Sequence, residues 1–478
     1  MVSKKVLIIG VVVAIAAIGV IAGILVATSS SSSEATNESS NPTSANSDTP
    51  LSRATNSSKS GIRSNTTKSS GGPLITSDPT SAKFTLCAFA LGDWGTTIYQ
   101  DSCCTRAKTY NKYDVNAMDV VASIMNTHAG AVDVKPQCIL GHGDNFYWTG
   151  IDSEADRDTR FTTTFEKKYN GDNIATIPFI NVAGNHDYGG ASFVCSDGKQ
   201  TVECNDADEL VAGLENKFKW QQEYVSPNDN RWILKDHFYV HTIEDKDSGV
   251  SIDIFNVDTG DADVHAAMQV CCQCFGYSKG IKNACKGVSR GHKYCAGGNN
   301  EMYDACFAKF EEWGADSRKQ LAEKAATSTA TWKIVNSHYS PHAHYDEAGM
   351  KEWFDVLQGL GIHAWIYGHT HGEKHDYSES LGMHFIENGA GGGIQMEAAS
   401  GLTAYAEAYA KNVWTYSGDE YGFFSIDAST EWLKLQYHTA DDSWSFGSNM
   451  EETKAGGAAT KHCWYVPADG SEGQACTT

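Results

Sequence analysis

Positive charge is scarce in this chain. Against 59 aspartates and glutamates stand only 37 lysines and arginines, a formal net charge of -22. Such a surface repels polyanions, which argues against nucleic acid or an anionic membrane face as a partner. An anionic substrate would have to be drawn by a local site and not by a general basic field. A second absence concerns the 14 cysteines, among which no pair of Cys-x-x-Cys motifs occurs. Disulfides are therefore expected in preference to structural zinc, and disulfides imply a compartment outside the reducing cytosol.

Apolar residues are nearly missing from residues 28–82, where Ser, Thr, Asn and small side chains dominate. Such a segment cannot bury enough surface to offset chain entropy, and it is expected to be a disordered stalk. It carries glycosylation acceptors at Asn37, Asn56 and Asn65, which suits a solvated spacer.

Before it, residues 6–27 form an unbroken apolar run behind Lys4 and Lys5. About 20 such residues span a bilayer, whereas a cleavable signal's apolar region has roughly 7 to 15. The lysines place the amino end in the cytosol. The expectation is a signal-anchor over 1–27, contacting the membrane through that helix, with the rest extracellular or lumenal. A cleaved signal and a secreted protein is the alternative.

What remains is ample for one large domain: 478 residues in all, with 41% hydrophobic and 11% aromatic. The domain is expected over 83–440, with residues 441–478 as a C-terminal tail. Strand-like runs alternate with amphipathic stretches at 116–128, 313–326 and 350–360, which argues for α/β units with helices covering sheets. Late runs at 383–387, 422–427 and 432–438 read as strands of a second sheet.

Five strand-like runs end in chemistry. Residues 84–91 lead to Gly92-Asp93-Trp94-Gly95, and 137–140 to Gly141-His142-Gly143-Asp144-Asn145-Phe146-Tyr147. Residues 177–182 lead to Gly184-Asn185-His186-Asp187, 332–335 to Asn336-Ser337-His338, and 364–367 to Gly368-His369-Thr370-His371. Open α/β sheets place ligands at such carboxyl ends. Carboxylate, imidazole, amide oxygen and phenolate are the donors expected of a dinuclear site for hard or borderline metals.

The order GDWG, GDNFY, GNHD, SHY and GHTH resembles that of the calcineurin-like metallophosphoesterases, and within them the purple acid phosphatases. The likeness is to the small, mammalian-type (tartrate-resistant) branch, with Tyr147 its most specific point. It implies a four-layer αββα sandwich. It also implies one metal held by Asp93, Asp144, Tyr147 and His371, and a second by Asp144, Asn185, His338 and His369. Three anionic ligands in the first set imply Fe(III); the second set suits a divalent ion such as Zn, Mn or Fe(II).

The activity implied is hydrolysis of phosphate monoesters at acidic pH by metal-bound hydroxide. His186 is the implied substrate contact and general acid, and Asp187 a candidate to orient its ring. His342, His344, Asp346 and Glu347 follow His338, and any of them could serve the leaving-group side. His142 is expected to fill space and His375 to lie on the surface. A phosphodiesterase of the same fold, acting on nucleotides or lipid headgroups, is the alternative. An inactive displayed binding ectodomain is a third reading. Oligomeric state is not readable.

An insertion at about 261–308 holds Cys271, Cys272, Cys274, Cys285, Cys295 and Cys306 and reads as a disulfide-stapled lobe of undetermined pairing. A zinc knuckle is its alternative. Cys195 is expected to pair with Cys204, and Cys463 with Cys476.

Overall fold

The computed structural model describes residues 74–95, 112–190, 192–273, 288–394, 397, 399 and 401–476. The expected anchor, most of the stalk, the three glycosylation acceptors, Cys274 and Cys285 lie outside the described residues. Among the described residues, no helix is long and apolar enough to cross a membrane.

The first sheet is built on β1 (Leu86–Leu91), β2 (Pro136–Gly141) and β3 (Phe179–Asn181), parallel neighbours, with β6 (Trp232–Ile233) beyond β3. On the other side of β1 run β14 (Gly422–Ala428), β15 (Trp432–Ala440), β16 (Ala458–Pro467) and β17 (Gln474–Ala475), all antiparallel. The second sheet has the order β13 (Lys411–Thr415), β11 (Glu373–Ser378), β12 (Met383–Asn388), β10 (Ala364–Tyr367), β9 (Trp332–Asn336), β8 (Val250–Val257) and β7 (Phe238–Asp245). A small hairpin pairs β4 (Cys195–Ser196) with β5 (Thr201–Val202).

Strand chemistry explains the layers. β1 reads Leu-Cys-Ala-Phe-Ala-Leu and is buried on both faces, as central parallel strands are. Its Leu86, Ala88 and Ala90 pack with Ile252, Ile254, Ile334, Ala364 and Ile366 of the second sheet, forming the layer between the sheets. Its Cys87, Phe89 and Leu91 turn the other way, onto Val120, Val121, Ile124 and Met125 of the helix Lys112–Ala131. The outer face of the second sheet, with Val335, Trp365 and Phe385, is covered by Met350, Trp353, Phe354 and Leu357 of the helix Glu347–Leu357. Helix, sheet, sheet and helix is the four-layer order expected. Each fully buried large apolar side chain contributes roughly 2 kcal/mol to it.

The helix boundaries have local causes. Asn299 accepts from the main-chain N–H groups of Glu301 and Met302, and so starts the long helix Asn300–Thr327 thirteen residues before the amphipathic stretch at 313–326. Asp346 caps Glu347–Leu357 in the same way through Gly349 N at 2.7 Å.

Several expectations are corrected. β14 and β15 belong to the first sheet and not the second: Leu86 pairs with Ala428 and Ala90 with Phe424. Alternation in a strand specifies a buried face, but not which neighbour it pairs with. The segment expected as a tail supplies β16 and β17. Order also begins before residue 83, because Thr76 and Ser77 hydrogen-bond to Glu431 (Thr76 Oγ1 at 2.6 Å, Ser77 N at 2.8 Å).

The cysteines pair as Cys195–Cys204, Cys271–Cys306, Cys272–Cys295 and Cys463–Cys476. The first and last are the expected pairs, and the four described cysteines of the insertion form disulfides, not a zinc knuckle. Cys87 and Cys138 are buried thiols. His375, expected on the surface, is fully buried between the sheets, where it joins His384 and His462.

Candidate functional site

Five strands bring their carboxyl ends to one edge of the sandwich. β1, β2 and β3 run parallel in the first sheet, and β9 runs parallel to β10 in the second. The turn after each carries one or more of the polar residues predicted from sequence.

Those turns are tight. Asp93, Asp144 and His369 each have positive φ, 54°, 50° and 71°. Non-glycine residues rarely adopt this conformation, which costs about 1–3 kcal/mol each and clusters at functional sites. Hydrogen bonds hold the strained turns together. His369 N donates to Asp93 Oδ2 at 2.7 Å, and His186 N donates to Asp144 Oδ1 at 2.9 Å. Gly184 lies so close that a Cβ would sit 2.3 Å from Asp144 Oδ1.

The seven predicted ligands meet. Donor atoms of Asp93, Asp144 and His338 all fall within 4.8 Å of one another. The Tyr147 hydroxyl lies 3.0 Å from Asp93 Oδ1 and 3.3 Å from His371 Nε2. His338 Nε2 is 3.2 Å from Asn185 Oδ1 and 3.5 Å from Asp144 Oδ1. The ring of His369 stands 5.2 Å from that of His338.

The tautomer of His338 follows from its partner. Its Nδ1 is 2.7 Å from the main-chain oxygen of His142, which can only accept. The proton therefore sits on Nδ1, and the Nε2 lone pair faces Asp144 and Asn185. An imidazole oriented in this way by a backbone carbonyl is the usual arrangement of a metal-ligating histidine.

Electrostatics fit the same use. Asp93 and Asp144 are buried together, and among the described residues their ion-pair partners are histidines, His371 and His338. Burial and the neighbouring Asp144 push the Asp93 carboxyl well above its ordinary range. Burial, Asp144 and Asp93 push the Tyr147 phenol well up. Asp144 Oδ2 is buried without a hydrogen-bond partner. Two clustered carboxylates, an orphaned carboxylate oxygen and a buried phenol are costly without compensating positive charge. This donor set fits cations of high charge density.

His186 is half-buried next to these groups, with its ring 4.6 Å from that of Tyr147. Its Nδ1 is 2.8 Å from Trp148 O, again an acceptor only, so Nδ1 carries the proton and Nε2 is directed elsewhere. Burial lowers its pKa, while Asp144 raises it. Asp187 does not orient this ring. Its carboxylate accepts from the main-chain N–H groups of Gly184, Asn145 and Phe146, at 2.8 to 3.2 Å, and so joins the turn after β3 to the turn after β2.

The residues after His338 are used elsewhere. His342 Nε2 lies 3.0 Å from Asp376 on the far side of the second sheet. His344 accepts the Ser340 N–H at Nδ1 (3.1 Å), so its Nε2–H donates to Thr370 Oγ1 (3.2 Å). Asp346 is the helix cap described above, and Glu347 pairs with Lys351 in solvent. His142, expected as filler, hydrogen-bonds Asn336 Oδ1 through Nδ1 at 2.6 Å.

Sequence reasoning missed three supporting residues. Asn336 is buried and turns its amide nitrogen to Gly141 O, Ile180 O and Asn256 Oδ1, joining the two sheets directly behind the site. Arg160 donates to Tyr147 O at 2.6 Å. Lys217, fully buried, donates to Thr149 O and Ile151 O at 2.5 and 3.2 Å. A signal for Lys217 existed: it falls in the buried stripe of Leu210, Leu214, Phe218 and Gln221 on the helix Ala207–Gln222.

No family model matches the chain. Among curated proteins, it is 31% identical over 117 residues to tartrate-resistant acid phosphatase type 5 of Mus musculus, covering 24% of this chain and 31% of that one. It is 42% identical over 50 residues to the Oryctolagus cuniculus protein of the same name, covering 10% and 15%. The chain thus spans less than a third of the length of these relatives. Among solved structures, GAP50, the anchor in the inner membrane complex of Plasmodium, aligns with a TM-score of 0.45 and 14% identity, over 79% of this chain and 89% of that one. The curated relatives bear out the resemblance to purple acid phosphatases read from the motifs.

Proposed function

We propose, starting from that likeness, that the chain hydrolyses phosphate monoesters at acidic pH on a dinuclear centre of Fe(III) and a divalent ion, Zn, Mn or Fe(II). Asp93, Asp144, Tyr147 and His371 would hold the first ion, and Asp144, Asn185, His338 and His369 the second. The observation that carries this reading is the Tyr147 hydroxyl, buried within 3.3 Å of both Asp93 and His371. A phenol held among carboxylates suits a trivalent ion better than a divalent one.

Such a centre supplies Lewis-acid charge for phosphate oxygens and acidifies bound water. The chain's own groups do the rest. Asp144 and Asn185 would present oxygens to the ions, and the carbonyl of His142 keeps the His338 lone pair inward. Asp187 and Asn336 hold the turns from both sheets rigid, so that the donors keep their geometry without a reorganisation cost. His186, its Nδ1–H held by Trp148 O, would give the Nε2 proton of its imidazolium form to the departing oxygen and be left neutral. The domain would work outside the cytosol, tethered by its amino-terminal segment.

Visible absorption with metal analysis, on purified protein assayed with p-nitrophenyl phosphate and bis-p-nitrophenyl phosphate, tests the reading. A tyrosinate-to-iron band, two metals per chain and preference for the monoester are expected. His338→Ala or Asp144→Asn should lower kcat by more than about a hundred-fold, with the fold retained. A colourless two-zinc protein preferring the diester would replace the reading with the phosphodiesterase. A protein that binds no metal would leave the binding ectodomain.

A further inference from the structure

The His369 side of the site receives no imidazole from the segment after His338, because His342 and His344 both spend their ring nitrogens elsewhere. A histidine from a different part of the chain approaches instead. The ring of His265 lies 6.0 Å from that of His369, nearly perpendicular to it at 76°. His265 is exposed, whereas the rings of His338 and His344 are buried.

Its position is built. His265 has a φ of 53°, in the left-handed region. The two residues before it, Asp263 and Val264, both donate their N–H groups to His344 O, at 3.0 and 3.1 Å. The Tyr339 hydroxyl lies 3.2 Å from the main-chain oxygen of His265 and 3.0 Å from Asn185 Oδ1, so one phenol touches both this segment and a proposed metal ligand. Directly after it, the helix Ala267–Cys272 is fastened by Cys271–Cys306 to the helix Asn300–Thr327, and by Cys272–Cys295 to the residues before it. The insertion therefore presents one imidazole, on a strained and doubly stapled support, at the mouth of the site.

We propose that His265 contacts substrate: its ring donates a hydrogen bond to a non-bridging phosphoryl oxygen on the His369 side, opposite His186. The insertion is thereby a substrate-positioning element and not merely a stabilised loop. This rests on the phosphatase reading. No bond is made or broken at His265, so it positions the ester and takes no part in the proton balance.

The test uses the full chain loaded with metal. His265→Ala, His265→Asn and His265→Gln are compared with wild type for kcat/KM on p-nitrophenyl phosphate, for competitive inhibition by inorganic phosphate, and for metal content. Asn accepts left-handed backbone, so His265→Asn removes the reach of the ring without adding strain; Gln restores a donor of nearly the same length.

In His265→Asn and His265→Ala, the phosphate inhibition constant should rise and kcat/KM fall, each by about ten-fold, with two metals retained. His265→Gln should recover part of both. Unchanged phosphate inhibition in His265→Asn, beside an active wild type, overturns the proposal alone. Loss of metal in His265→Asn also overturns it, by making His265 a support of the centre. A wild type that hydrolyses no monoester with any metal overturns the phosphatase reading and this proposal together.

Discussion

His375 and His462 meet across the two sheets, Nδ1 to Nε2, at 3.0 Å. On its other side, His375 Nε2 lies 2.8 Å from His384 Nδ1, so three imidazoles form one buried chain. Trp414 stacks on His462 at 4.3 Å, and Tyr377 lies against His384 at 4.8 Å. Burial pushes His462 down to about 4 and His384 to about 3, and burial with its two neighbours pushes His375 well below its usual value.

In an unfolded chain these rings titrate near about 6.5. A group with a folded value below the unfolded one is protonated first in the unfolded state. Its contribution is thus complete above about pH 6.5 and is lost as pH falls towards the folded value. Each ring that stays neutral costs about 1.4 kcal/mol per pH unit over that window. Thermal unfolding should show Tm falling as pH drops from about 6.5 towards about 4. His462→Phe, which keeps the stack on Trp414, should flatten that dependence; an unaltered slope would remove the histidine chain as its cause.

Gly143 lets the turn after β2 pass beneath His338. It has a φ of 88°, and a Cβ there would lie 2.8 Å from both His338 Nδ1 and Gly184 N. Gly143→Ala should cost at least about 1–2 kcal/mol from the backbone alone. The collision should also displace the His338 ring. The expected result is a lower Tm together with metal stoichiometry reduced on the His338 side, read by calorimetry and elemental analysis. Full metal occupancy in this variant would show that the ring can move without consequence.

Lys217 supports the loop that follows Tyr147. Replacing it with methionine keeps the stem's packing but leaves the Thr149 and Ile151 carbonyls without their buried donor. The expected cost is about 1–3 kcal/mol. Because Arg160 still holds Tyr147 O, the variant should retain the tyrosinate absorption while unfolding at lower denaturant. Loss of the band at full stability would contradict this division of roles.

The site was legible because its donors sit where apolar runs stop. Strands such as β1, β2 and β10 are too apolar to be anything but buried, and a Gly-Asp or Gly-His after such a run marks the turn. Partners in space were less legible. The alternation of β14 and β15 was plain, yet the sheet they join depends on β1 having a vacant edge. His375 was misjudged because its neighbours Glu373, Lys374 and Asp376 are charged. All of β11 is nevertheless buried, since this sheet is covered on both faces and Lys374 pairs with Asp376 and Glu387. Asp187 was read as serving His186, but Asp and Asn at turns more often satisfy main-chain N–H groups, as here.

The hydrogen bond from His369 N to Asp93 Oδ2 closes a loop of 276 residues. The first sheet brings Asp93, Asp144, Tyr147 and Asn185; the second brings His338, His369 and His371. During synthesis, therefore, a nascent chain that has folded only its first three parallel strands owns four of the seven proposed donors and none of the three histidines. Long-range pairings of this kind form late, after the closure entropy has been met by packing between the sheets. On the proposed reading, metal capture would in this way be a checkpoint on assembly: only a chain whose two sheets have met in register would present the full donor set.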